Sequence, residues 1–131
     1  ILETEVFTVS MVSREHLQSM VDSSARWPSD VSEFDVIGQA LRDGTRVAAP
    51  FPKEARVAME CRLVHAHDMG TTHLLVGEIL TFHLHDSVHR LGPDGIPLVD
   101  ALVLDPVARL GDQDYTSLGE LMAASPSQLP R

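Results

Sequence analysis

The stretch THLLVGEILTFHLHD, Thr72–Asp86, decides the reading of this chain. Leu74, Val76, Leu80, Phe82 and Leu84 fall on one face of an alternating pattern, with Glu78 among them. That period predicts a strand with one apolar face. At ~3.3 Å per residue, Thr72–His85 would extend ~45 Å, long for an open sheet and suited to a strand that bends around a barrel. Gly77 is the expected bend point.

The preceding segment supplies its partner. Arg56–Val64 alternates Val57, Met59, Cys61 and Leu63 against Ala58, Glu60, Arg62 and Val64. Asp68-Met69-Gly70-Thr71 carries turn chemistry between the two strands. Glu78 on an apolar face requires a partner or a rim position. Arg62, on the antiparallel neighbour, is the expected structural ion-pair partner.

Towards the N-terminus, Val6–Val12 reads as a mostly apolar strand. Ser13 then stands as a helix N-cap, with Glu15 in the first turn and Val12 and Leu17 at staple spacing. This helix is expected to reach about Val21. A short helix is expected around Glu33–Ile37, ended by Gly38. Asp43–Lys53 is irregular, its prolines unsuited to a central strand. Gly92-Pro93-Asp94-Gly95 reads as a turn, Ala101–Leu110 as an apolar stretch, and Tyr115–Met122 as a short helix or strand. The expected organisation is one domain over residues 1–122 and a Pro/Ser-rich tail over 123–131.

Composition narrows the function. Ten basic and nineteen acidic residues give a net charge of −9. That argues against nucleic acid, although a local basic patch could hold a phosphorylated cofactor. No apolar run is long enough for a helix to cross a bilayer. Cys61 is the sole cysteine, which leaves no internal disulfide and fits a reducing cytoplasm. Its mid-strand apolar setting reads as a structural thiol rather than a nucleophile. The chain opens on Ile1, directly into strand-like sequence. The expectation is a beginning that lies upstream; a processed or short protein is the alternative.

Standard phosphate-loop, zinc-protease and serine-hydrolase motifs are absent. Six histidines lie between His65 and His89. Strand spacing keeps His73 and His83 ~33 Å apart if straight, so no functional metal is expected and most of these histidines read as solvated strand ends. Trp27, beside Pro28 in a polar loop, reads equally as a core plug or as a lid over a planar ligand.

Five stretches in order resemble the flavin reductase-like family of the FMN-binding split barrel. They are VFTVSMVS (Val6–Ser13), the Glu33–Gly38 segment, MECRLVH (Met59–His65), THLLVGEIL (Thr72–Leu80) and LDPVARLGDQDYTSLGE (Leu104–Glu120). The resemblance implies a mostly β split barrel with one or two short helices. It implies a homodimer that binds FMN (or FAD) and takes hydride from NAD(P)H, with a monooxygenase component among its partners. It places His73, Arg109 and Tyr115, together with Trp27, as candidate cofactor-binding residues. Ser10 stands where the family often has Asn. Family chains also have strands before the position of Ile1, so the alternative is a non-catalytic barrel with an incomplete cofactor site. Flavin carries its own redox chemistry, so no acid–base triad is required.

Overall fold

A computed structural model of the protein describes residues 1–124. The central feature is a long antiparallel hairpin of β4 (Val57–Asp68) and β5 (His73–Leu84), with β1 (Val6–Ser10) on the other side of β4. The hairpin closes through the anticipated turn. Met69 N–H donates to the Thr72 carbonyl, and Gly70 takes a positive φ of 86° while its N–H bonds Asp68 Oδ1.

β4 runs four residues further than the alternation of Arg56–Val64 predicts. Its bulge at Leu63/His65 breaks the period and hides the continuation through His65–Asp68. This bulge lies opposite Gly77, which pairs with Leu63. A side chain at residue 77 would place its Cβ 2.5 Å from Phe7 Cζ, so glycine lets the β1 ring cross over β5 at the bend. A second bulge lies at Glu60/Cys61.

Three short two-stranded ladders surround this sheet. They are β2 (Leu41–Arg42) with β3 (Phe51–Pro52), β6 (His89–Leu91) with β7 (Pro97–Val99), and β8 (Val107–Gly111) with β9 (Asp114–Ser117). The β6–β7 turn is the expected Gly92–Gly95 segment, with Gly95 at φ 76°. Helices α1 (Leu17–Ser23), α2 (Glu33–Val36) and α3 (Ala101–Leu104) are short. Ser32 caps α2 by accepting from Asp35 N–H, and Gly38 follows it at φ 67°. Ala101–Leu110 is not one element. Asp100 caps α3 through the Leu102 and Val103 N–H groups, Asp105 turns into the left-handed region, and β8 begins at Val107. Tyr115 lies in β9 rather than in a helix.

Ser13 does not cap a helix. It is buried and bridges to Pro106, a 3-10 turn at Arg14–His16 intervenes, and α1 starts at Leu17. Backbone bonds from Met11 to Val57, Arg14 to Asp105 and Val107 to Val12 thread this segment between β4 and β8. Long-range pairing thus overrides the local capping signal. The described residues reach into the expected 123–131 tail only as far as 124; residues 125–131 lie outside them.

The compact apolar core forms where the hairpin's open end meets the C-terminal ladders. Val57, Val88 and Leu104 are buried there, with Leu84 and Val99 packed against them. By contrast, much of the β5 face predicted to be buried is exposed. Leu74, Val76 and Phe82 show relative exposures of 55%, 44% and 58%, because no described element covers this face.

Candidate functional site

The end of β1 organises two neighbouring clefts. Ser10, Met11 and Val12 leave the sheet here, and α1 packs beside them through Met20. These four residues form a wall common to both clefts. On one side, a cleft of about 390 Å³ is closed by Phe34 and Ile37 and by Pro50 and Pro52. On the other, a cleft of about 370 Å³ is closed by Pro106, Val107, Arg109 and Tyr115. Apolar clefts of this size with a few polar groups are typical of small-molecule sites.

The shared wall contains one unusual atom. Ser10 Oγ is buried and has no hydrogen-bond partner. A buried hydroxyl without a partner forfeits about 1–3 kcal/mol, so it is ordinarily satisfied by protein, water or ligand. The two methionines beside it offer adaptable, polarizable contact surface.

Of the four residues anticipated from sequence, two converge. Arg109 and Tyr115 are direct register partners across β8 and β9 and line the same cleft. The exposed Arg109 guanidinium donates to the Asp112 carbonyl, while Tyr115 is half-buried. His73 pairs with Asp68 at the far tip of the hairpin and is exposed. Trp27 sits in the loop after α1, 38% exposed, and lines neither cleft. Ser10, Met11 and Met20, the wall between the clefts, carried no periodic signal that marked them as a site.

A second arrangement was missed. Glu60, placed on the strand face shared with Ala58, Arg62 and Val64, is completely buried. Its Oε1 accepts from the Thr45 N–H and hydroxyl, and its Oε2 accepts from the Arg46 and Val47 N–H groups. His83 Nε2 lies 2.5 Å from Oε1. Burial alone would raise the Glu60 pKa. The donors from Thr45, His83 and Arg46 outweigh it and hold the carboxyl well below the ordinary range. His83, one of the histidines read for the most part as solvated strand ends, is packed against Phe51, ring centroids 4.7 Å apart. The anticipated Arg62–Glu78 pair is present, with both side chains largely exposed. Cys61 is buried, and burial pushes its thiol pKa up, in keeping with a structural role. Among the described residues no three His, Cys, Asp or Glu side chains group to hold a metal. No described helix is long and apolar enough to cross a membrane.

Residues 1–101 match the flavin reductase like domain. The chain belongs to that family. An uncharacterized protein from Aquifex aeolicus is 31% identical over 115 residues, covering 88% of this chain and 57% of the relative. Among solved structures, nitrilotriacetate monooxygenase component B from Bacillus cereus superposes with a TM-score of 0.84 at 26% identity. That match covers 94% of this chain and 61% of the other. A protein with a split barrel domain from Shewanella frigidimarina NCIMB 400 gives 0.82 at 28% identity, covering 97% and 63%. The fold of this flavin reductase-like domain is therefore a mostly β split barrel. The chain spans about six-tenths of the length of each of these proteins.

The residues present fit part of a flavin. An isoalloxazine is flat and apolar across its face, with hydrogen-bonding atoms along its edges. Adjoining apolar clefts with a buried, unpartnered hydroxyl in the common wall suit such a ring. For the phosphate end, Arg109 is, among the described residues, the one Lys or Arg lining either cleft.

Proposed function

We propose that this domain serves an NAD(P)H-dependent flavin reductase that uses FMN or FAD. The carrying observation is the pair of apolar clefts that meet at the unpartnered Ser10 Oγ. Bound flavin supplies the redox chemistry by accepting hydride from the nicotinamide. The protein's part is to bind, orient and exclude water. Met11, Met20 and Val12 present apolar walls, Ser10 offers a hydrogen bond to a ring edge, and Arg109 holds negative charge beside Tyr115. His73 and Trp27 stand apart from these clefts within the chain, so a role in binding requires a second copy or a moving loop.

A homodimer is part of this reading. Val9, Met59 and Phe82 lie side by side across β1, β4 and β5, with Val9 and Phe82 exposed. An uncovered apolar row on a sheet is a favourable surface for a second copy. The relation to a monooxygenase component B supports a partner monooxygenase that consumes reduced flavin. A single buried cysteine is consistent with a cytoplasmic setting.

The test is an FMN fluorescence titration of the 131-residue chain and, if the encoded polypeptide extends upstream of Ile1, of that longer polypeptide, followed by NADH and NADPH oxidation assays. Strong binding and oxidation by the longer polypeptide, with weak binding by the 131-residue chain, are expected. Charge-assisted hydrogen bonds at ~1.5–3 kcal/mol each make that difference orders of magnitude if the upstream residues supply several. Absence of both activities in the longer polypeptide would instead favour a non-catalytic barrel.

A further inference from the structure

A third pocket, of about 280 Å³, lies on the other side of the β3 segment from the Phe34-lined cleft. Strand alternation separates them. Pro50, Pro52 and Glu54 face the apolar cleft, while Phe51 and Lys53 face the third pocket. Pairing of Arg42 with Phe51 brings a second cation in from β2, and the end of β5 adds His83 and His85.

We propose that this pocket binds a phosphate group, either free or as the monoester of a small molecule. Four observations lead there. Arg42 and Lys53 are exposed at its edge, and among the described residues neither has a carboxylate partner. The chain has nineteen acidic residues against ten basic ones, yet among the described residues no carboxylate lines this pocket. Uncompensated cations gathered from separate elements create a local positive potential that an anion relieves. An arginine fork beside a lysine point charge suits phosphate oxygens.

The third observation is the orientation of His83. The ionised Glu60 carboxylate is acceptor-only, so His83 Nε2 must carry the proton between them. Its Nδ1 has no protein partner among the described residues, and the ring lines the pocket. The fourth is rigidity. Arg42 lies with its guanidinium carbon 5.9 Å from the centroid of the Phe51 ring, and Phe51 packs on His83, so the basic groups rest on a buried aromatic support. The pocket lies at the lower end of small-ligand volumes, which fits a phosphate and its nearest atoms rather than a whole nucleotide.

The test is two-dimensional amide and side-chain NMR of the 131-residue protein during titration with inorganic phosphate, adenosine 2′-monophosphate and sodium chloride. Saturable shifts at Arg42, Lys53 and His85 are expected from at least one phosphate probe, with a dissociation constant below roughly 1 mM. Arg42→Gln with Lys53→Gln should weaken binding by at least roughly tenfold through lost charge-assisted hydrogen bonds, whereas Arg90→Gln should not. Both residues are exposed, and an unchanged melting temperature verifies the fold. Response to inorganic phosphate points to the free ion, and response to the nucleotide alone points to an ester. Non-saturating shifts that chloride reproduces, no shift with either phosphate probe, or equal binding by the double variant would overturn the proposal.

Discussion

His83 Nε2 sits 2.5 Å from Glu60 Oε1, joining β5 to a carboxylate buried near the start of β4. The same carboxylate gathers the backbone N–H groups of three consecutive residues, Thr45, Arg46 and Val47. One side chain therefore ties an otherwise irregular loop to both strands of the hairpin. Glu60→Ala leaves these donors buried without an acceptor and should destabilise the protein by about 3–5 kcal/mol. Glu60→Gln turns an amide NH₂ towards backbone donors and should cost at least about 1–3 kcal/mol. Urea denaturation of the two variants against wild type measures both values.

The same group predicts an acid dependence. Its folded pKa lies below the ordinary value of 4.5, so its stabilising contribution is full above that value and is lost as pH falls below it. The stability gap between wild type and Glu60→Gln should therefore be widest near neutrality and shrink from about pH 4.5 downward. Denaturation midpoints of both proteins across pH 3–7 test this. A gap that stays constant contradicts it.

Gly77 should resist replacement for a steric reason. An added Cβ meets Phe7 Cζ at 2.5 Å. Gly77→Val should destabilise by about 1–3 kcal/mol through overpacking. Phe7→Leu in the same chain should recover part of that loss, because the colliding ring is gone. A double-mutant cycle read by thermal melting gives the coupling.

The Arg62–Glu78 pair offers a contrast. It joins direct register partners of β4 and β5, whereas Glu60 and His83 meet diagonally, and its side chains are 61% and 49% exposed. Glu78→Gln should change stability by no more than about 1 kcal/mol, and less in high salt. A loss comparable to that of Glu60→Ala would show an undetected burial of this pair.

Ser10 separates folding from binding. Its hydroxyl is buried without a partner, so Ser10→Ala should leave the unliganded protein unchanged or more stable by up to about 1 kcal/mol. It should weaken FMN binding by roughly five- to tenfold, the value of one hydrogen bond. Melting curves and flavin titration together measure the two effects.

Much of the hairpin was legible because alternation, a glycine turn and a paired charge all agree between Arg56 and His85. What disrupted the reading was irregularity. The bulge near Leu63 hid the last third of β4, and Ser13 offered a capping signature while its actual partner, Pro106, lies 93 residues on. Glu60 was illegible for a related reason. Its donors lie in a loop without periodicity, and a carboxylate within an alternating strand reads as solvent-facing. The choice of Arg109 and Tyr115 came through family resemblance rather than through any physical pattern in those residues, and their pairing across β8 and β9 was not anticipated. The clefts that it helps to line depend on three segments distant in sequence, and no local pattern reports such a meeting.

The location of Glu60 also bears on how the chain finds its alignment. A one-residue slip of β4 would turn that carboxylate to the opposite face, away from Thr45, Arg46, Val47 and His83. Apolar pairs between these strands are interchangeable enough to tolerate several offsets. An ionised group is not, since outside its own set of donors it must keep water or take up a proton. The buried carboxylate thus raises the energy of misaligned hairpins relative to the native one, a penalty that the apolar residues alone would not impose.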